Sequence, residues 1–277
     1  MQMRPRYDGP AVLRFDPAPT DPSVPMLRQR RRLASLLATF DEGQWAAPSR
    51  CDGWTCRDVV SHLVSVSAFW AVSVAAGRSG EPTRFLDGFD PVATPAQLVE
   101  AAPLTSTAEL LDAFSATTDS LAAALDGLDA EGWTLPTEAP PGHLALDAVV
   151  LHALWDGWIH ERDIALPLGF APGVEPDEVA GGLRYAVGLG PAFLATTGST
   201  RTGSFAVRAE GPEVDLVIEV GPEVVVRDRS GTGVLPTVAG GAVELLESFS
   251  LRSTPPTLPG PNGWMVEGLG VLFDQAG

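Results

Sequence analysis

The stretch "LDAVVLHALWDGWIHERDIALPLG", residues 146–169, decides how this chain folds. It is apolar over most of its length, and its periodicity is that of a helix buried on most sides. Yet Asp156, His160 and Asp163 recur along one face of that helix. Burying such groups without partners costs several kcal/mol. The stretch therefore predicts a buried helix whose polar stripe is paired with other side chains or with a metal ion.

The composition limits the classes of function that the chain can have. Its 277 residues, 45% of them hydrophobic, predict a packed core in one large domain or two smaller ones. A net charge of −17 argues against nucleic acids and anionic membranes as partners, because both are polyanions. We expect no uncharged apolar run long enough to cross a membrane, and the best membrane-helix candidate is "VSVSAFWAVSVAAG", residues 64–77. We expect a cytoplasmic protein, a monomer or homodimer.

Two further features of the composition bear on where the protein works. The start of the chain lacks the apolar segment of a signal peptide, and two cysteines do not make a secreted disulfide framework. All 18 basic residues are arginine, which is typical of GC-rich genomes such as those of actinobacteria.

Helical periodicity and capping signals organise the first part of the chain. Helices are predicted at about 23–39, 55–76, 106–125 and 147–166. They predict a four-helix bundle over residues 23–168, after an extended, Pro-rich arm at residues 1–22. The "RQRRR" run, residues 28–32, is interpreted as a solvated face of the first helix.

The sequence changes character after residue 168. "DEVAGGLRYAVGLG" and "PAFLATTG" predict helices, and "TVAGGAVELLESFSLR" predicts another. Between them "GSFAVRAE", "EVDLVIEV" and "EVVVRD" alternate apolar and polar residues, which predicts an antiparallel meander. Residues 169–277 are therefore expected to form a smaller α+β domain, and the chain is assigned to the α+β class with two domains.

The histidines supply the strongest candidate site. His152, Asp156 and His160 follow each other at intervals of four residues on one helix, and His62 lies on a second apolar helix. His62, Asp156 and His160 are the candidate ligands, because two imidazoles and a carboxylate suit catalytic zinc, although the same set can hold iron or nickel. His152 is a fourth ligand or a supporting residue. The alternative is a His–Asp pair buried in the core without any ion.

Other chemical motifs are weak or missing. Cys51 and Cys56 do not have the spacing of a zinc knuckle and are interpreted as ordinary half-buried thiols. The sequence contains no Gly-rich phosphate loop, no G-x-S-x-G elbow and no H-E-x-x-H motif.

Two motifs resemble a known family. "WAAPSRCDGWTCRDVVSHL", residues 45–63, resembles the opening of the mycothiol-dependent maleylpyruvate isomerase family of DinB-like metal-binding bundles. The family's Glu-x-x-x-His motif is similar to "DGWIHERD", with Asp156 in place of Glu. "TVAGGAVELLESFSLRS" resembles the end of the family's sterol-carrier-like domain, where Leu251 replaces a glycine before Arg252.

The resemblance implies an activity and its cofactors. It implies zinc or a similar divalent ion held by His62, Asp156 and His160, and mycothiol as the thiol cofactor or cosubstrate. It further implies that Arg252 binds a carboxylate or a developing enolate of a small electrophile. The sugar part of mycothiol is expected against Trp155 or Trp158, near His152.

Three classes of function follow from these observations. The first is a metal-dependent transferase or isomerase that presents mycothiol as a thiolate to a small electrophile. The second is a binding or regulatory module that encloses a small molecule without chemistry. The third is a metal-dependent hydrolase, which would turn over without any thiol.

Overall fold

The computed structural model describes residues 3–102, 106–231 and 233–274. The elements, in chain order, are β1 (Leu13–Asp16), α1 (Ser23–Leu37), α2 (Glu42–Trp45), α3 (Cys56–Arg78), α4 (Ala93–Ala101), α5 (Thr107–Leu125), β2 (Pro136–Ala139), β3 (Gly142–Ala145), α6 (Leu146–Ala165), α7 (Pro176–Thr196), β4 (Gly203–Glu210), β5 (Val214–Val220), β6 (Val224–Asp228), β7 (Thr237–Gly241), α8 (Ala242–Phe249) and α9 (Trp264–Asp274). The α+β class predicted from the sequence is confirmed.

Helices α1, α3, α5 and α6 pack together as the predicted bundle. Capping boxes fix where two of them begin. The Thr55 hydroxyl accepts the backbone N–H of Asp58, and the Asp58 carboxylate accepts the N–H of Thr55. Ser106 and Glu109 form the same arrangement at the start of α5. These local signals explain why the predicted helix starts lie within a residue of the observed ones.

Helix α3 is the one described helix that is long and apolar enough to cross a membrane. The sequence analysis predicted no such run, and by the length and composition of α3 that prediction is wrong. In the structure α3 packs against α5 and α6 and buries Val59, Leu63 and Trp70. It also buries the polar side chains of His62 and Ser73. These are the contacts of a core helix in a bundle.

The basic run on α1 is not wholly solvated, contrary to the prediction. Gln29 and Arg30 are buried, whereas the next residue, Arg31, is exposed. The reason is geometric, because four consecutive helical residues sweep around the whole circumference and two of them must face the bundle. The "RQRRR" run therefore supplies both core and surface side chains.

The C-terminal part contains a five-stranded sheet in the order β1-β6-β5-β4-β7. Its centre, β4 to β6, is the predicted antiparallel meander, with Phe205 opposite Ile218 and Ile218 opposite Val226. Both edges are parallel, since β7 pairs with β4 and β1 pairs with β6. The sheet is therefore mixed rather than antiparallel throughout.

The segment predicted as an N-terminal arm contributes one edge of this sheet. Leu13 pairs with Val224 and Phe15 with Val226, and both Leu13 and Phe15 are buried. Alternation of these two apolar residues with Arg14 and Asp16 gives the strand one buried and one wet face. Residues 13–16 therefore belong with the C-terminal part in space, although they precede the bundle in sequence.

Two helices of the C-terminal part differ from their predicted form. The two helices expected around residue 191 are one helix, α7, which continues through Pro191. Packing of α7 against α6, α8 and α9 compensates for the backbone hydrogen bond that Pro191 cannot donate. The helix expected from Thr237 begins only at Ala242, because residues 237–241 pair with β4 as β7.

An ion-pair network joins α1, α6 and α7. Arg32 donates to Glu161 of α6 and to Glu178 of α7, each through two nitrogens at 2.7–2.9 Å. Both carboxylates are buried. The apolar core also runs on from the bundle into the sheet, with Trp158, Tyr185 and Phe205 in one cluster. The domain boundary predicted at residues 168/169 lies between α6 and α7, and the bundle and the sheet on either side of it share one apolar core.

The end of α8 is closed by a left-handed residue, Leu251, with φ 58°. The N–H of Arg252 donates to the Glu247 carbonyl at 2.9 Å, and the N–H of Leu251 donates to that of Ser248 at 3.2 Å. This is the Schellman pattern, in which glycine is the preferred residue at the left-handed position. The turn that presents Arg252 is therefore built without the glycine that suits it.

We predict that Leu251→Gly is more stable than Leu251→Ala by about 1 kcal/mol, because glycine lacks the steric penalty of a left-handed residue. Comparing these two variants cancels the packing that the leucine side chain loses in both. Urea unfolding of each variant gives the difference. The same Ala-to-Gly comparison at Glu244, a helical and exposed position, should have the opposite sign. Equal stabilities at position 251 would contradict the argument.

Candidate metal centre

Three of the predicted ligands meet where α3 packs against α6. Asp156 and His160 lie one turn apart on α6, and His62 lies in the second turn of α3. The Oδ1 atom of Asp156 is 3.6 Å from His62 Nε2 and 3.5 Å from His160 Nε2. The three ligand atoms all lie within 4.8 Å of one another, and all three residues are buried.

This donor set fits a divalent ion. Two ligand atoms bound tetrahedrally at zinc distances lie roughly 3.3–3.6 Å apart, which matches the separations around Asp156 Oδ1. The second oxygen of Asp156, Oδ2, is buried without a hydrogen-bond partner among the described residues. An unpaired carboxylate oxygen beside two imidazoles is an acceptor that a cation satisfies. Two histidines and one carboxylate leave a fourth position for another ligand.

Charge coupling within the cluster is strong. Burial alone lowers the pKa of His160, but the carboxylates of Asp156 and Asp163 outweigh it and raise the pKa to about 10. Burial raises the pKa of Asp156, yet the positive charge of His160 and the hydrogen bond from His62 hold it well below its usual range. In the protein without an ion, His160 is therefore an imidazolium between two carboxylates.

Asp163 orients His160 from behind. It accepts a hydrogen bond from His160 Nδ1 at 3.0 Å, which leaves Nε2 directed towards Asp156 and His62. A carboxylate on the far nitrogen is the usual support of a metal-binding histidine. Burial raises the pKa of Asp163, but His160 and Arg252 together keep it well below its usual range.

The C-terminal part brings Arg252 to this cluster. Its Nε and Nη2 atoms donate to the Asp163 carboxylate at 2.9–3.0 Å. Arg50 also donates to Asp163, at 3.2 Å, and reaches Glu247 of α8 at 3.1 Å. One buried carboxylate thus gathers groups from α6, from the loop before α3 and from the end of α8.

Cys51 lies in the same cluster, which the sequence reasoning missed. Its Sγ atom is 3.2 Å from Asp163 Oδ2 and 3.7 Å from His160 Nδ1. Cys56, by contrast, is fully buried among apolar side chains. The signal that could have revealed Cys51 is its place in the turn "PSRCDGW", just before the helix that carries His62.

His152 is placed beside the ligands but bonded elsewhere. Its Nδ1 atom shares a 2.5 Å hydrogen bond with the Tyr185 hydroxyl of α7, and its ring packs on Trp70 and Trp155. Burial lowers the pKa of His152 to about 4, with Asp156 opposing the shift. His152 is therefore a neutral imidazole at pH 7. Tyr185 was not singled out from the sequence, since its partner lies 33 residues away on another helix.

The two tryptophans expected near the ligand site differ in position. Trp155 is half-buried, and its indole N–H donates to the Ser250 hydroxyl at 2.7 Å, two residues before Arg252. Trp158 is 0% exposed, with the Arg162 guanidinium stacked on its ring at 4.7 Å. Only Trp155 is thus placed between the candidate ligands and the C-terminal part.

Residues 26–165 match the sequence profile described as "Mycothiol maleylpyruvate isomerase N-terminal domain", which spans just over half of the chain. The chain belongs to this family. The match includes the bundle helices that carry His62, Asp156 and His160. No curated protein sequence matches the chain significantly.

Two solved structures resemble the whole fold. One is described as the mycothiol-dependent maleylpyruvate isomerase and the other as a His-to-Ala mutant of it, with TM-scores of 0.59 and 0.58. Each is 13% identical in sequence, and the alignment covers 86% of this chain and 92% of that chain. At this identity the likeness establishes the fold, including the C-terminal part that the family profile leaves out.

We predict that His152 makes stability depend on pH between about 6.5 and 4. The unfolded chain takes up a proton below pH 6.5, whereas folded His152 does so only near pH 4. The stabilisation is therefore complete above pH 6.5 and is lost as the pH falls through this window, by roughly 3 kcal/mol in total. Urea unfolding of metal-free wild type and His152→Gln at several pH values measures the difference. Parallel pH profiles for the two proteins would show that His152 is not held neutral.

Proposed function

We propose that this chain binds a divalent ion, zinc in the first place, through His62, Asp156 and His160. We further propose that it uses mycothiol as a thiol cosubstrate, either to isomerise a conjugated double bond or to transfer sulfur to a small electrophile. The observation that carries the proposal is the convergence of the three ligand atoms within 4.8 Å, beside an arginine from the C-terminal part. The family membership and the shared fold support the thiol.

The chain's own residues prepare the site. When bound, a divalent ion lowers the pKa of a thiol so that a thiolate is available at neutral pH. Asp163 holds the Nδ1 proton of His160 and so leaves Nε2 free as a ligand. His152, neutral and fixed by Tyr185, supports the site from the side without adding charge.

Arg252 is proposed to act on the electrophile. The Nε and Nη2 atoms of Arg252 donate to Asp163. The Nη1 atom of Arg252 has only a 3.5 Å contact, to the Ser250 carbonyl. That nitrogen is left to donate to a substrate carboxylate or to an oxygen on which charge develops. Trp155, beside Ser250, is the proposed wall for the sugar part of the thiol. Trp158 is enclosed in the core and is left out of the proposal.

We predict that purified protein carries about one equivalent of a divalent ion and that His160→Ala loses it. Two remaining ligands bind an ion weakly, and affinity should fall by about a hundredfold or more. Asp156→Glu should keep the ion, because it retains the carboxylate with a longer reach. Elemental analysis of protein purified without added metal gives the content. Full occupancy in His160→Ala would remove His160 from the ligand set.

We also predict that Arg252→Ala retains fold, ion and thiol affinity while turnover falls by about 10²–10³-fold. The reason is that the donor is needed most when charge develops on the electrophile. Calorimetric mycothiol binding and kinetics on electrophiles found by screening are measured together. Arg208→Ala, which removes an exposed arginine of strand β4, is the control and should keep full activity.

Two results would redirect the proposal. If the metal-loaded wild type binds no mycothiol at millimolar concentration, the thiol reaction is wrong. Turnover without thiol would then favour a hydrolase, and no turnover at all would favour a binding module. If mycothiol binds but Arg252→Ala is fully active, the C-terminal part acts as a scaffold.

A further inference from the structure

Helix α1 carries a buried arginine that is almost unpaired. Arg30 is 1% exposed, and its Nη1 atom donates to the Ser67 hydroxyl at 2.6 Å. Its Nε and Nη2 atoms have no hydrogen-bond partner among the described residues. A buried guanidinium with two unsatisfied nitrogens is costly, so its retention calls for an explanation.

The position of Arg30 relates it to the candidate ligands. Gln29 Nε2 donates to the Gly157 carbonyl at 2.9 Å, and a methyl group at Gly157 would collide with the Gln29 side chain. Helices α1 and α6 therefore meet at residues 29 and 157. Arg30 directly follows Gln29 on α1, Asp156 directly precedes Gly157 on α6, and the Arg30 guanidinium reaches Ser67 on α3, the helix that carries His62. Both carry buried polar atoms without partners, Nε and Nη2 on Arg30 and Oδ2 on Asp156.

The two groups also interact through charge. Burial lowers the pKa of Arg30 to about 10, and the negative charge of Asp156 opposes the shift. Arg30 is therefore still positively charged at neutral pH. No ion pair joins it to a carboxylate among the described residues, so its charge is not neutralised by direct contact.

The total charge at the metal centre follows from these residues. A divalent ion with Asp156 and two neutral imidazoles carries a charge of about +1, and Arg30 raises the local charge to about +2. The charge of Asp163 does not offset this surplus, because Arg252 and Arg50 both donate to it. A surplus of positive charge in a buried site opposes the cation and favours an anion beside it.

We propose that Arg30 determines the charge of the ligand that this centre accepts: it weakens binding of the metal ion and makes the loaded centre prefer an anion, such as a thiolate, over a neutral molecule. The proposal rests on the metal centre of the proposed function and adds the residue that sets its selectivity. Arg30 acts through its electric field and is not itself a ligand of the ion.

The test compares wild type and Arg30→Met in the full-length protein, with cobalt(II) as the probe ion. One readout is cobalt affinity, from competition with a chelator. The other is thiocyanate affinity of the cobalt-loaded protein, followed by its visible absorption. We expect Arg30→Met to raise the affinity for cobalt by about tenfold or more, and to lower the affinity for thiocyanate by about tenfold or more.

The opposite signs separate a field from a structural role. A variant that merely disturbed the packing of Asp156 would lose affinity for cobalt as well. Methionine is a suitable replacement, since apolar residues of similar volume commonly substitute for buried charges without loss of stability. Arg30→Gln serves as a second neutral variant, and circular dichroism checks the fold of both.

Two control variants test whether the effect comes from the positive charge at residue 30 rather than from the net charge of the protein or from the helix. Arg30→Lys keeps a basic group at this position, and its two affinities should lie closer to those of the wild type than the affinities of the neutral variants do. Arg31→Met removes an exposed charge from the neighbouring position of the same helix and should change neither affinity.

The outcomes distinguish this inference from the proposed function. If the wild type binds no cobalt, the metal centre fails and the role of Arg30 fails with it. If cobalt binds to wild type, but the neutral variants leave either affinity unchanged or lower both, the metal centre stands and the role of Arg30 is wrong.

Discussion

Three of the four carboxylates buried on α6, those of Asp156, Glu161 and Asp163, determine how the rest of the molecule is arranged. Burying a charge is tolerated only when another group compensates it, and α6 offers almost no exposed surface for water to do so. Asp156 is compensated from α3, Glu161 from α1, and Asp163 from the loop before α3 and the end of α8. Each compensation attaches a separate element to α6, so charge as well as apolar packing specifies this fold.

The same requirement unites structure and site. Asp163 holds Arg252 on one side and His160 on the other, so the position of the C-terminal part and the orientation of a candidate ligand depend on one carboxylate. Leu251 shows what that arrangement tolerates, because a left-handed leucine is accepted where glycine would be easier. Departures from local preference of this kind concentrate where function imposes a second demand on the chain.

The sequence was informative where the signals are local. Helical spacing placed Asp156 and His160 on one face, and capping residues such as Thr55 marked helix starts, because both depend on neighbours in the chain. The parallel pairing of β1 with β6 was missed, since Leu13 and Val224 are more than 200 residues apart. Arg30 was missed for a different reason. An arginine in a basic run is usually solvated, and only the packing of α1 against α6 shows that this one is enclosed.

The edge strand β1 also bears on how the chain assembles during synthesis. Residues 13–16 leave the ribosome more than 200 residues before their partner, residues 224–228. Until then the strand has two open edges, and its buried residues Leu13 and Phe15 have no sheet to lie on. The bundle, whose helices lie close together in sequence, can form first, whereas this edge of the sheet closes only after residues 224–228 are made.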